Sequence, residues 1–227
     1  MNKTEALLCA KISMSAYGKG YNIDSFQLAG RFENKATDTQ GLFGTTDDTL
    51  FLAFRGSEET GATDWMTDLK FVSANYPYGG GSNVVVHAGF IEAYQSIRES
   101  IIEVAKDTPH KKITCTGHSL GGALATLCVL DLACNVPNKQ VSSYTYGSPK
   151  VGGPDFVKLY NQKVPQSYRF VNGPDIVPTI PVDIPFLVDY DHVGKLHHIG
   201  NTQASKLSTD AVMSHLPKSY ISAIEQA

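Results

Sequence analysis

Apolar and polar positions fall into blocks whose period changes along the chain. Ala6, Leu7, Ala10 and Met14 recur at helical spacing and predict an opening helix over about 4–17, ended by Gly18 and Gly20. Residues 23–44 suggest a first strand pair, with Phe26, Leu28 and later Leu42 and Phe43 set between polar turns. Residues 50–54 are continuously apolar, as expected of a strand covered on both faces. A strand over 84–90 follows, with His87 near its end. A helix over about 91–106 then carries apolar Ile91, Tyr94, Ile97, Ile101 and Val104. Further strands are predicted at 113–116, 141–146 and 168–171, with a helix from Pro154 to Gln162. A last strand is expected over 192–199 and a short helix from Pro217 to about Ile224. Strands alternating with helices predict an α/β fold.

The block at 113–125 stands apart. It reads as a short apolar strand, a tight turn Gly117-His118-Ser119-Leu120-Gly121, and a helix of small and aliphatic residues. A G-x-S-x-G nucleophile elbow needs this context, with the serine at a sharp strand-to-helix turn. Gly117 and Gly121 lack a Cβ and let strand and helix approach closely. The helix N-terminus aims free N–H groups at the serine, where they can stabilise an oxyanion. A serine hydroxyl is a weak nucleophile alone, so Ser119 needs a base, and the base needs an orienting acid. The plainer alternative is a glycine-rich connection with no chemistry. His118 is expected to point away from the serine and to pack.

Downstream acids are Asp175, Asp183, Asp189 and Asp191, and downstream histidines are His192, His197, His198 and His215. Asp175 lies just past a predicted strand end, the favoured place for a site in an open parallel sheet. The spacing of the other three aspartates fits no calcium loop. The strand at 50–54 ends in Arg55-Gly56-Ser57, where a second oxyanion donor is expected beside the Leu120 N–H. Between 58 and 71, Trp65, Met66 and Leu69 would share one face of a short helix capped by Thr63 or Asp64. That segment is a candidate lid with substrate contacts, or else a surface helix packed permanently on the core.

Composition narrows the classes. At 227 residues, with no linker, repeat or charge run, a single domain over 1–227 is expected. A net charge of −3 gives no electrostatic case for nucleic acid. Cys9, Cys115, Cys128 and Cys134 match no zinc spacing and read as reduced core residues, and no metal site is expected. No stretch is long and apolar enough to cross a bilayer, and the apolar run 6–10 is too short for a signal peptide. The chain is therefore expected to be cytoplasmic, or a secreted form without its leader.

Six blocks in order resemble the class 3, or fungal-type, triacylglycerol lipase family of the α/β-hydrolase fold. They are 54–57, Asp64-Trp65 with Asp68, 86–90, 117–123, 144–149 and 172–178 with Pro181, followed by His192-Val193-Gly194. The resemblance implies a predominantly parallel central sheet flanked by helices on both faces. It implies Ser119 as nucleophile, Asp175 as acid, and Ser57 and Leu120 as oxyanion hole. It also implies His215 as base, because the family's histidine lies shortly before a C-terminal tyrosine, here Tyr220. The implied activity is ester hydrolysis through an acyl-enzyme, on acylglycerols at a lipid–water interface, with no cofactor. Feruloyl, phospholipid or short soluble esters, acyl transfer, and a non-catalytic binding or signalling role are the alternatives. Family members from fungi are usually secreted and disulfide-bonded, and this chain shows neither a leader nor an obvious cysteine pairing.

Overall fold

The computed structural model describes residues 2–18, 23–57, 72–79, 81, 83–181, 189–201 and 209–227. Helix α1 (Lys3–Ser15) is capped by Asn2, whose Oδ1 accepts the N–H groups of Thr4 and Glu5. It buries Ala6, Cys9, Ala10, Ile12 and Met14, and Gly18 at φ +76° ends the helical run. Strands β1 (Gln27–Asn34), β2 (Thr39–Thr45) and β3 (Thr49–Phe54) form an antiparallel meander. All of β3 is buried, as its unbroken apolar run requires. Strands β4 (Ser73–Asn75) and β5 (Val85–His87) make a separate two-stranded ribbon. Helices α2 (Ala88–Gln95) and α3 (Arg98–Asp107) come next.

The second half alternates strand and helix. β6 (Lys112–His118), α4 (Leu120–Asn135), β7 (Gln140–Tyr146), α5 (Pro154–Lys163), β8 (Ser167–Asn172) and β9 (Lys195–Ile199) follow in turn. Helices α6 (Thr209–His215) and α7 (Pro217–Gln226) close the chain. The main sheet has seven strands in the order β1-β2-β3-β6-β7-β8-β9. From β3 to β9 every pairing is parallel, so Phe54, His118, Tyr146 and Asn172 all end their strands at one edge of the sheet. Such an edge is where an open α/β sheet places its ligands.

Two cores sandwich this sheet. On one side α2, α3, α4 and α5 bury Leu52, Phe54, Phe90, Tyr94, Ile101, Leu127 and Phe156, among others. On the other, α1 and α7 cover Leu42, Phe51, Tyr144, Tyr146 and Phe170. α4 is apolar nearly all round and lies buried along most of its length, as such a helix must.

Three sequence expectations are corrected here. The strand over 84–90 stops at His87, because α2 begins at Ala88. The helix over 91–106 is broken at Ser96-Ile97, where the Ser96 hydroxyl donates to the Ala93 carbonyl and the Ser96 carbonyl accepts from Asn34 Nδ2. The strand over 192–199 shortens to β9, because Gly194 at φ +72° interrupts the extended chain. The segment 58–71, with Trp65, Met66 and Leu69, and also Asp183, lie outside the described residues.

Candidate active site

The turn between β6 and α4 holds its serine in a strained backbone conformation. Ser119 sits at φ 58°, ψ −131°, a conformation that costs a non-glycine residue on the order of 1–3 kcal/mol. Its surroundings hold it there. The Ser119 N–H donates to the Tyr146 carbonyl at 2.9 Å, and the Ser119 carbonyl accepts from Gly122 at 2.8 Å. A Cβ at Gly117 would overlap the Gly121 carbonyl, and one at Gly121 would overlap the Phe54 carbonyl. Glycine at both positions is thus a packing requirement of the turn.

Asp175 reaches the same edge from the far side of β7. Beyond β8 the chain turns at Gly173 (φ +50°), and the Asp175 N–H donates to the Asn172 carbonyl at 3.1 Å. The carboxylate is buried, and its Oδ1 accepts the Val177 N–H at 2.9 Å. His215 is the last residue of α6, and Leu216 and Pro217 then open α7.

These three side chains meet. His215 Nδ1 lies 2.9 Å from Asp175 Oδ2 and 3.1 Å from Oδ1, and Nε2 lies 3.0 Å from Ser119 Oγ. A carboxylate only accepts, so Nδ1 carries the proton and the Nε2 lone pair faces the serine hydroxyl. The result is a hydroxyl bonded to a base that a carboxylate orients, the arrangement that activates a serine.

Two further groups complete the cluster. Tyr220 of α7 donates its hydroxyl to Asp175 Oδ2 at 2.5 Å and accepts the Asn172 N–H at 3.2 Å. Burial, then the adjacent Asp175 charge, pushes the Tyr220 hydroxyl well above its ordinary pKa, so it remains a donor. At Gly147 (φ +57°) a Cβ would come within 3.0 Å of Asp175, His215 and Tyr220 together. Sequence reasoning used Tyr220 only as a landmark for His215 and gave Gly147 no task in the site.

The expected oxyanion positions flank the serine. Leu120 is the first residue of α4, where the N–H has no intrahelical acceptor. Gly56 packs against the elbow so closely that a Cβ there would meet Ser119 Cβ at 3.1 Å, and Ser57 follows it half-buried, three residues past the end of β3.

The other histidines lie elsewhere. His192 Nε2 donates to the Pro178 carbonyl at 2.7 Å, and His197 stacks on Phe170 across the sheet. His118 does more than pack, since its ring bonds both Tyr17 and the His215 backbone. Among the described residues no group of His, Cys, Asp or Glu could hold a metal ion. All four cysteines are free thiols, with Cys115 Sγ 3.7 Å from Cys128 Sγ. No helix among the described residues is long and apolar enough to cross a membrane.

Comparison with known proteins places the chain among lipases. A family model described as lipase (class 3) matches residues 51–184. The chain is 35% identical over 163 residues to a lipase of Rhizomucor miehei, covering 69% of this chain and 43% of that protein. It is 30% identical over 201 residues to phospholipase A1-II 1 of Oryza sativa subsp. indica, covering 78% of this chain and 49% of the relative. The chain thus spans about half the length of these curated relatives. The solved structure of Rhizomucor miehei triacylglyceride lipase superposes with a TM-score of 0.78 at 27% identity, covering 94% of this chain and 92% of that one.

Proposed function

The chain belongs to the class 3 lipase family, and we propose that within it the protein is a serine carboxylester hydrolase that cleaves acylglycerol esters. The observation that carries this reading is the unbroken hydrogen-bonded line from Ser119 Oγ through His215 to the buried Asp175. In this reading His215 Nε2 takes the Ser119 proton as Oγ attacks the ester carbonyl. Asp175 holds the imidazole tautomer and stabilises the charge that forms on it. The backbone N–H groups of Leu120 and Ser57 receive the tetrahedral oxyanion, each worth about 3 kcal/mol in comparable sites. His215 then protonates the leaving alcohol, and water, activated by the same base, releases the acid from the acyl-enzyme.

The test is hydrolysis of p-nitrophenyl esters from acetate to palmitate by the wild type and Ser119→Ala. The expected outcome is turnover that falls by about 10⁴-fold or more in the variant. A wild type inert on the whole series and on emulsified triglyceride would overturn the reading in favour of a binding role.

A second reading changes only the ester. The rice phospholipase A1 relative, 30% identical over 78% of this chain, makes phospholipid the competing substrate. Release of the sn-1 fatty acid from phosphatidylcholine vesicles, faster than from emulsified triglyceride, would select it.

A further inference from the structure

The bonds to the His215 ring account for its tilt, but the ring is carried by a backbone that must itself be held. α6 ends at His215, and the last carbonyls of a helix have no intrahelical donor. Two of them receive buried side chains from the sheet edge. Asn172 Nδ2 donates to the Ser214 carbonyl at 3.0 Å, and His118 Nε2 donates to the His215 carbonyl at 2.6 Å.

The origin of these donors matters. His118 is the last residue of β6 and immediately precedes Ser119, while Asn172 is the last residue of β8 and stands three before Asp175. Each strand that delivers an acting group therefore also delivers a donor to the backbone of the base. A shift of α6 against either strand would break a short buried bond.

We propose that His118 and Asn172 are positioning residues that fix His215 through its main chain, and that Tyr17 sets the tautomer His118 needs. This inference rests on the serine-hydrolase reading above. A carbonyl accepts only, so His118 Nε2 must carry the proton. Burial, with the neighbouring His215 adding to it, holds the His118 ring pKa well below its ordinary value, so the ring is neutral and Nδ1 is a lone pair. The Tyr17 hydroxyl lies 2.9 Å from that Nδ1 and is the donor that satisfies it. Tyr17 follows the end of α1, so the start of the chain is tied to the base through two bonds. Neutrality has a second use. The His118 and His215 rings lie 4.6 Å apart between centroids, and a charged His118 would oppose the imidazolium that forms during attack.

A backbone anchor of this kind should act on turnover more than on binding. Displacement of a reacting group by about 1 Å costs on the order of 10²-fold in rate.

The experiment measures kcat, KM and the thermal midpoint on p-nitrophenyl butyrate for His118→Phe, His118→Gln, Asn172→Ala and Tyr17→Phe. Ser119→Ala and Ile101→Ala serve as references, the latter removing a buried side chain from α3, remote from the triad. Phe keeps the ring volume without the donor, and a Gln amide can return an N–H to the carbonyl. We expect His118→Phe to lower kcat by about 10²-fold with KM within about twofold, and His118→Gln to recover roughly tenfold of that loss. Asn172→Ala and Tyr17→Phe should each lower kcat by about 3- to 10-fold.

A His118→Phe protein with wild-type kcat and only a lower midpoint would overturn the inference. So would Ile101→Ala losing kcat in proportion to its midpoint, since turnover would then merely follow stability. If His118→Phe does not fold, Tyr17→Phe decides, because unchanged kcat there removes the tautomer role and the coupling with it. Full activity in Ser119→Ala would sink the hydrolase reading itself, whereas an inactive Ser119→Ala beside an unaffected His118→Phe sinks only the positioning.

Discussion

Among the described residues two carboxylates, Asp131 and Asp175, are almost completely withdrawn from water, and they are held in opposite ways. Asp131, 0% exposed toward the C-terminal end of α4, accepts from Arg98 Nε at 2.6 Å and Nη2 at 3.1 Å, from Tyr94 at 2.6 Å and from Asn135 at 2.7 Å. Asp175, 1% exposed beyond β8, accepts from His215, Tyr220 and the Val177 N–H. Both have a tyrosine and further donors, so both are satisfied. The difference is the cationic partner. A guanidinium carries its charge permanently, so the Asp131 cluster has one state and serves to lock α2, α3 and α4 together. An imidazole can take up a proton and give it back, so the Asp175 cluster can cycle. A buried acid is therefore not a functional signal in itself; the titratable partner and the strained serine beyond it make it one.

The largest expected effect breaks the Asp175 half. Asp175→Asn keeps the shape but presents an amide to His215 Nδ1, favours the wrong tautomer, and should lower kcat by about 10⁴-fold. The fold should persist, measured as an unchanged near-UV circular dichroism spectrum. Asp131→Ala is the counterpart. It leaves the half-buried Arg98 and the buried Tyr94 without an acceptor, so stability should fall by about 3 kcal/mol, on the order of 10 °C in thermal midpoint. Turnover of the remaining folded protein should stay within about twofold of wild type. A large kcat loss in Asp131→Ala, or a large stability loss in Asp175→Asn, would erase the contrast.

The two clusters also differ in how far they could be read before the fold was known. The elbow was legible because close packing around the strained Ser119 forces glycine to fixed offsets, a local rule written in five residues. Asp175 was legible as an acid just past a strand. Asp131 was not singled out, since its one partner close in sequence is the neutral Asn135 amide, and the charged partner, Arg98, lies 33 positions away. The His118 bond to the His215 carbonyl spans 97 positions and was read as packing. The same physics explains the misread elements. The break at Ser96 is sealed by Asn34 and Thr37 from the β1–β2 turn, about which the apolar spacing of 91–106 says nothing. Local strain announces itself in sequence, whereas side chains meeting across the fold do not.

The paired tyrosines sharpen the contrast at smaller scale. Tyr220→Phe removes one donor from Asp175 and leaves the Asn172 N–H without its acceptor. Since that carboxylate must stabilise a charge formed only during attack, kcat should fall by roughly 10-fold, equivalent to about 1.5 kcal/mol. Tyr94→Phe removes the matching donor from Asp131. It should cost about 1–2 kcal/mol of stability in urea titration and leave kcat unchanged. Equal effects on kcat from both substitutions would mean that the carboxylates are coupled.

Mild acid supplies the smallest test, because it acts on histidines and the Asp131 cluster contains none. His118 is held neutral by burial, and the His192 pKa is pushed down to about 4 by burial and then by Arg169. For a base whose folded pKa lies below its unfolded value of about 6.5, the unfolded chain binds more protons. The stability these two contribute is complete above pH 6.5. It is lost as pH falls, toward about 4 for His192. Protonating His118 would also remove the lone pair that Tyr17 satisfies and oppose His215, loosening the end of α6 first. Hydrogen exchange corrected for intrinsic rates should therefore show protection falling between pH 7 and 5 in 209–226 before it falls in 98–107 and 120–135. His192→Gln, which keeps a donor for the Pro178 carbonyl, should flatten part of the slope. Uniform loss of protection across both halves would mean that the histidine side of the molecule holds no separate sensitivity to acid.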